Sequence, residues 1–290
     1  MKNIFKGLGV ALVTPFNEDG TIDYDALSKL LHYQESNGVD FFCVLGSTAE
    51  TPCLSFQEKT DVKNFVVNTL KGSKPVLLGF GGNCTKALVD EISEFDFSGV
   101  DGILSVVPFY NKPSQAGMYE HFMAVARSIK NMPVVLYNVP GRTGVNMLPE
   151  TTLRIANDAE NVVAIKEASG NVSQISEIIS KAPEGFGVLS GDDSLTYQLL
   201  GLGAAGVISV VGNAVPKQFS SMVHARLNGN ETEAAKINAS FSELYRQAFV
   251  DGNPAGIKAL LYLKGMCSNV LRLPLVPARK ETEEKLKMFV

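Results

Sequence analysis

Histidine and cysteine are scarce in this chain of 290 residues, and the few present are badly placed for metal chemistry. The three histidines, His32, His121 and His224, stand far apart in stretches of helical pattern, so each reads as solvated or packed rather than as part of a zinc site. The four cysteines, Cys43, Cys53, Cys84 and Cys267, show no CxxC spacing. Cys43 falls in the apolar run FFCVLG, where a buried structural thiol is expected. Scattered thiols of this kind suit a reducing, cytoplasmic setting. Basic clusters are missing too. Net charge is −4, and no stretch interleaves lysine or arginine with aromatics, which excludes a nucleic-acid surface. No run approaches the roughly 18 apolar residues of a membrane span. The opening MKNIFKGLGVALVTPFNEDG joins basic residues to an apolar run, but it lacks a small-residue cleavage site and ends in Thr14-Pro15-Phe16. It reads as a first strand, not a signal peptide.

The chain is rich in short apolar runs that alternate with longer amphipathic segments. Candidate strands are GVALVTPF (9–16), DFFCVLG (40–46), PVLLGF (75–80), GILSVVP (102–108), PVVLYNV (133–139), VVAIK (162–166), FGVLSG (186–191) and AGVISV (205–210). Helix-like stretches such as YDALSKLLHYQESNG and SQAGMYEHFMAVARSIKN lie between them. Parallel strands need such crossovers, and continuous apolar runs suit strands covered on both faces. Eight units close most naturally into a (β/α)₈ TIM barrel, with a doubly wound open sheet as the competitor. Residues 1–225 are assigned to the barrel. Residues 226–290 contain no strand pattern and are expected to form a helical extension, with ETEAAKINASFSELYRQAFV, PAGIKALLYLKGMC and ETEEKLKMFV as helices.

Barrel chemistry gathers at the carboxyl ends of the strands. Those ends carry Gly46-Ser47-Thr48-Ala49-Glu50, Phe109-Tyr110-Asn111, Tyr137-Asn138, Lys166-Glu167, Gly191-Asp192-Asp193 and Ser209. Alternation along VVAIKE puts Lys166 on one face with Ala164 and sends Val163, Ile165 and Glu167 to the other. The branched face suits the outer helices, so Lys166 is expected inside the barrel. A lysine shielded there is disposed to attack a carbonyl and form a Schiff base; an ion pair with an inward carboxylate is the competing role. Tyr137, at the end of the preceding strand, is a candidate acid/base beside it. The loop GSTAE offers backbone N–H groups and hydroxyls to a small carboxylate, and Arg142 in VPGRTG offers a bidentate cation. Neither GSTAE nor GFGG fits a dinucleotide or Walker fingerprint. Asp192 and Asp193 suit the cap of the helix that follows them, with shaping of the pocket as the alternative.

The segments GSTAETPCLSFQEK, VPFYNKPSQAGMYEHF, LYNVPGRTG, IKEASGN, LSGDDS and GVISV, in this order, resemble the dihydrodipicolinate synthase branch of the pyruvate-dependent class I aldolases, the family that includes N-acetylneuraminate lyase. The resemblance implies a homotetrameric lyase without metal or organic cofactor that joins pyruvate to L-aspartate-β-semialdehyde. It further implies Lys166 as the Schiff-base residue, Tyr137 as acid/base, and Ser47 linking Tyr137 to Tyr110, the last lent by a neighbouring subunit. The backbone at Ser47 and Thr48 would hold the pyruvate carboxylate and Arg142 that of the semialdehyde. Gly191 and Ile208 would add main-chain contacts. Sugar-acid lyases, the rival within the family, lack the GRTG arrangement that carries Arg142. Two departures stand out. The family's Gly-Thr-Thr-Gly-Glu loop is GSTAE here, which loosens the relay hydroxyl at Ser47 and would strain Ala49 if that position needs positive φ. The positions implied for inhibitory lysine are Lys59, Ala87 and Phe109, which replace a histidine, a glutamate and a tyrosine, so inhibition by lysine is expected to be weak or absent.

Overall fold

A computed structural model describes residues 1–290. All eight expected strands form: β1 (Gly7–Ala11), β2 (Phe41–Val44), β3 (Val76–Gly79), β4 (Gly102–Val106), β5 (Val134–Asn138), β6 (Val162–Glu167), β7 (Gly187–Ser190) and β8 (Gly206–Ser209). They pair in parallel in sequence order, and β8 returns to β1, so the sheet is a closed TIM barrel and not an open doubly wound sheet. Helices α1 (Tyr24–Ser36), α2 (Phe56–Leu70), α3 (Thr85–Glu94) and α4 (Gln115–Ser128) fill the first four crossovers. The next are α5 (Pro140–Thr143) and α6 (Pro149–Asp158), then α7 (Val172–Lys181), α8 (Thr196–Gly201) and α9 (Pro216–Leu227). Capping is written locally: Asp23, Ser114 and Asn171 accept N–H groups at the starts of α1, α4 and α7, and Ser55 with Glu58 makes a capping box on α2.

After α9 come α10 (Glu231–Ser240), α11 (Ser242–Phe249), α12 (Ala255–Leu263) and α13 (Lys280–Leu286). The run expected as one helix over ETEAAKINASFSELYRQAFV is thus broken at Phe241. Ser240 and Ser242 turn their hydroxyls back onto the carbonyls of Ile237 and Ala239, and Phe241 is buried against Phe219. Residues of α11 and α12 share one continuous core with the outer faces of the strands. β1 also differs from expectation, ending at Ala11. Beyond it the Val13 N–H is taken by the Asn213 side chain at 3.2 Å, not by a ladder partner.

A second, smaller core fills the barrel interior, where Phe41, Cys43, Leu77, Leu104, Val135 and Ile208 interdigitate. Gly9 is required there, since a Cβ would lie 2.2 Å from the Phe41 ring. The β5–β6 ladder slips by one residue: Val134 pairs with Val162, but Val135 pairs with Ala164. Val163 is the extra residue of this bulge. It joins the interior cluster with Ala164, while Val162 and Ile165 belong to the outer core. The assignment of Val163 to the helix side is therefore wrong, because strict alternation does not survive the bulge.

No helix is long and apolar enough to cross a membrane. Of the histidines, His121 is packed, and burial alone drives its pKa down to about 4. His224 instead forms an ion pair at the amino end of the barrel. Its Nε2 lies 2.7 Å from Asp40 Oδ2, which also accepts the Leu8 N–H at 2.7 Å. Asp40 thereby ties β1, β2 and α9 together. Its hydrogen bond holds His224 above the ordinary value of 6.5, against partial burial. A raised histidine contributes stability that is complete below about 6.5 and is lost as pH rises through the folded-state value. Wild type should therefore melt above His224→Asn at acidic pH, by a margin that shrinks as pH rises past neutrality. A margin that grows with pH, in thermal melts, would contradict the pairing.

Candidate active site

At the carboxyl ends of the strands the barrel opens into a cavity of about 490 Å³, lined by residues that include Ser47, Tyr137, Arg142, Phe109 and Asn253. Lys166 and Tyr137 lie side by side in the β5–β6 register, both 6% exposed. The lysine Nζ stands 4.4 Å from the centre of the Tyr137 ring. Lys166 takes part in none of the ion pairs of the structure. The competing role, a salt bridge with an inward carboxylate, is thus excluded. Its neighbour Glu167 is buried on the other face, where the Asn138 amide, the Ser169 hydroxyl and the Gln174 amide donate to its carboxylate. Burial raises the Glu167 pKa, and these hydrogen bonds oppose the rise.

Gly191 fits its position because its surroundings, the Glu167 carbonyl at 3.0 Å from a Cβ among them, leave no room for a side chain. A Cβ there would meet the Ala168 Cβ at 2.7 Å and Lys166 Cε at 3.1 Å. Ile208 is buried in the interior cluster. Cys43 is the buried thiol expected, its pKa pushed up to about 11 by burial, with the Lys166 charge pulling the other way.

The GSTAE loop makes two successive 3₁₀ turns, Ser47–Ala49 and Thr51–Cys53. Turns of this kind leave their first N–H groups unpaired, and those of Ser47 and Thr48 have no acceptor within the chain. Ser47 lines the cavity. The Thr48 side chain is 3% exposed and turned away, its Oγ1 accepting from Asn253 Nδ2 at 2.9 Å. The condition that would strain Ala49, a positive φ, is not met. The left-handed residues of this loop are Leu45 and Glu50, each at φ 57°, and Ala49 belongs to a regular turn whose carbonyl accepts from Thr14 Oγ1 at 2.9 Å.

Arg142, on α5, reaches the rim, where its Nη2 donates to the Asn253 carbonyl at 3.3 Å. Tyr110 is not brought together with Tyr137 and Ser47 in this chain. It sits at φ 73° and is 86% exposed, outside the cavity. Lys59 and Phe109 line the cavity, while Ala87 lies on α3. Asp192 caps as expected, accepting from Ser194 N at 2.9 Å. Asp193 does not. It is buried beneath β8 and accepts the Val210 and Val211 N–H groups at 3.0 Å, with burial pushing its pKa up to about 6.

Sequence reasoning missed Asn253 and the carboxylate of Glu50, which forms a buried ion pair with Lys258. Asn253 stands in Asp251-Gly252-Asn253-Pro254, which reads only as a helix break. Nothing local to it signals a partner as distant in sequence as Thr48.

Residues 4–290 match the Dihydrodipicolinate synthetase family. The 4-hydroxy-tetrahydrodipicolinate synthase of Phocaeicola vulgatus is 54% identical over 285 residues, covering 98% of this chain and 96% of that protein. The enzyme of the same name from Parabacteroides distasonis is 55% identical over 282 residues, covering 97% and 95%. Among solved structures, dihydrodipicolinate synthase from Aquifex aeolicus matches with a TM-score of 0.94 at 42% identity, over 98% of this chain and 96% of that one.

The raised Cys43 thiol gives a direct check on the interior packing. Iodoacetamide at about pH 8 should alkylate exposed Cys84 in the folded protein and Cys43 only after denaturation, as read by peptide mass mapping. Labelling of native Cys43 at the Cys84 rate would mean that the barrel interior is open.

Proposed function

The chain belongs to the dihydrodipicolinate synthetase family, and on that premise we propose that it condenses pyruvate with L-aspartate-β-semialdehyde to 4-hydroxy-tetrahydrodipicolinate, the committed step towards diaminopimelate and lysine. The observation that carries this reading is a buried, unpaired Lys166 packed against Tyr137, which with Arg142 lines the cavity at the carboxyl ends of the strands. The amine of Lys166 attacks the C2 ketone of pyruvate, and the carbinolamine loses water to give the imine. Loss of a methyl proton gives the enamine, whose carbon attacks the aldehyde. The amine of the second substrate then displaces Lys166 at C2, closing the ring and returning the enzyme.

Each proton movement needs a group that both gives and takes, a role assigned to the Tyr137 hydroxyl. Ser47 and Tyr110 extend it as a relay. The exposure of Tyr110 supports its being supplied to a neighbouring subunit of a homotetramer. The free N–H groups of Ser47 and Thr48 hold the pyruvate carboxylate, with main-chain contacts from Gly191 and Ile208 beside the imine. Arg142 holds the carboxylate of the semialdehyde, as a sugar-acid lyase would not require. The reaction asks for no metal or organic cofactor. The barrel, residues 1–225, carries the chemistry, with 226–290 as its helical extension. Four free cysteines agree with a cytoplasmic location.

Borohydride reduction in the presence of pyruvate should add one reduced pyruvyl unit to Lys166, located by mass spectrometry. Lys166→Met should show no adduct, and an unmodified wild-type Lys166 overturns the mechanism. Tyr137→Phe should lower kcat by about 10²- to 10⁴-fold. Arg142→Ala should raise KM for the semialdehyde by about tenfold or more and leave KM for pyruvate near wild type. With Lys59, Ala87 and Phe109 in place, lysine at roughly millimolar concentration should leave the rate essentially unchanged, and submillimolar inhibition in a steady-state assay would refute that.

A further inference from the structure

The steps above ask nothing of Glu50, yet it lines the cavity and is constrained in both side chain and backbone. Its carboxylate is buried and fully committed. Oε1 lies 2.5 Å from Lys258 Nζ, with neither side chain exposed, and Oε2 accepts the Arg272 N–H at 2.9 Å. Its backbone is left-handed, φ 57° and ψ 32°, where a residue other than glycine is disfavoured. This kink joins the two 3₁₀ turns. The Glu50 N–H closes the first turn onto the Ser47 carbonyl at 3.2 Å, and its carbonyl accepts the Cys53 N–H at 2.8 Å.

Lys258 is fixed in turn. Its ammonium donates to the Val270 carbonyl at 2.9 Å and stands 4.2 Å from the centre of the Phe16 ring. Lys258 lies on α12, and Asn253 stands just before that helix, with its amide on Thr48. One C-terminal segment therefore grips the loop at both Thr48 and Glu50. A buried ion pair is weak as a stability device, because an apolar pair of similar volume often does as well. What it supplies is direction, a fixed kink at one residue.

We infer that Glu50, clamped by Lys258, is a positioning residue for the Ser47 and Thr48 amides, and that the segment beginning at Asn253 is thereby part of the pyruvate subsite. This rests on the reading of that loop as the pyruvate-carboxylate cradle.

The test uses full-length Glu50→Gln, Lys258→Met, the double variant and Asn253→Ala. Each is measured for Tm, for KM towards each substrate, and for the pyruvate concentration that half-saturates borohydride trapping of Lys166. Both single charge variants strand a buried charge, so they should lower Tm and raise half-saturating pyruvate by about tenfold or more. The double variant removes both charges, and Tm should return towards wild type while half-saturating pyruvate stays about tenfold raised. Asn253→Ala strands no charge. It should raise half-saturating pyruvate by about three- to tenfold with little change in Tm or in the semialdehyde KM. A double variant that regains both Tm and pyruvate affinity overturns the inference, as does any folded variant with wild-type pyruvate affinity. No adduct on the wild-type protein overturns the proposed function, and this inference with it. A normal wild-type adduct alongside unaffected variants overturns this inference alone.

Discussion

An amine with no carboxylate to answer it, held inside a closed barrel, is the constraint around which the rest of this structure is arranged. Lys166 is 6% exposed, and its closest electrostatic company is the face of the Tyr137 ring. Leaving such a group unpaired costs free energy that folding does not return. The surroundings limit that cost in specific ways. The tyrosine ring offers its negative face, Gly191 leaves room for the lysine stem, and the cavity beyond Tyr137 admits solvent or substrate. The one nearby acid, Glu167, is kept out of reach on the opposite face, its carboxylate saturated by Asn138, Ser169 and Gln174. A salt bridge would have been more stable and chemically inert.

The loop opposite the lysine shows the complementary arrangement. Its acid, Glu50, is paired so completely that neither it nor Lys258 meets water. Burial pulls the Lys258 pKa below its ordinary value, against the upward pull of Glu50. Removing one partner of such a pair typically costs about 3–5 kcal/mol, since the other charge is left stranded. Arg272 extends the same join, with its guanidinium on Glu58 and on the Gly20 and Cys53 carbonyls. The C-terminal helices are thus bonded into the catalytic face as well as packed against the barrel.

Much of this could be read in advance where short-range rules apply. Eight apolar runs separated by crossovers left a closed barrel as the natural outcome, and the motif order pointed to the family. Local alternation at the end of β6 separated Lys166 from Glu167 correctly. The failures have particular causes. Val163 was misassigned because a bulge interrupts the two-residue period, and nothing in VVAIK announces it. Asp193 looks like a cap beside Asp192, but the N–H groups it accepts belong to Val210 and Val211, the next strand's exit. The left-handed residue of the loop, Glu50, went unread because no glycine marks it. Asn253 and Lys258 meet their partners across 205 and 208 positions, distances at which local patterns are silent.

The bulge at Val163 also gives β6 a parity. Counting by strict alternation from outward-facing Val162, Lys166 would fall on the helix side and Glu167 at the centre. The extra residue inverts the count, so that Lys166 and Glu167 exchange places relative to what the start of the strand dictates. Tolerance to length changes in this strand is therefore lopsided. A residue lost at the bulge restores simple pairing and leaves Lys166 opposite Tyr137. A residue gained between Ala164 and Lys166 would turn a barrel with an amine at its heart into one with a carboxylate there.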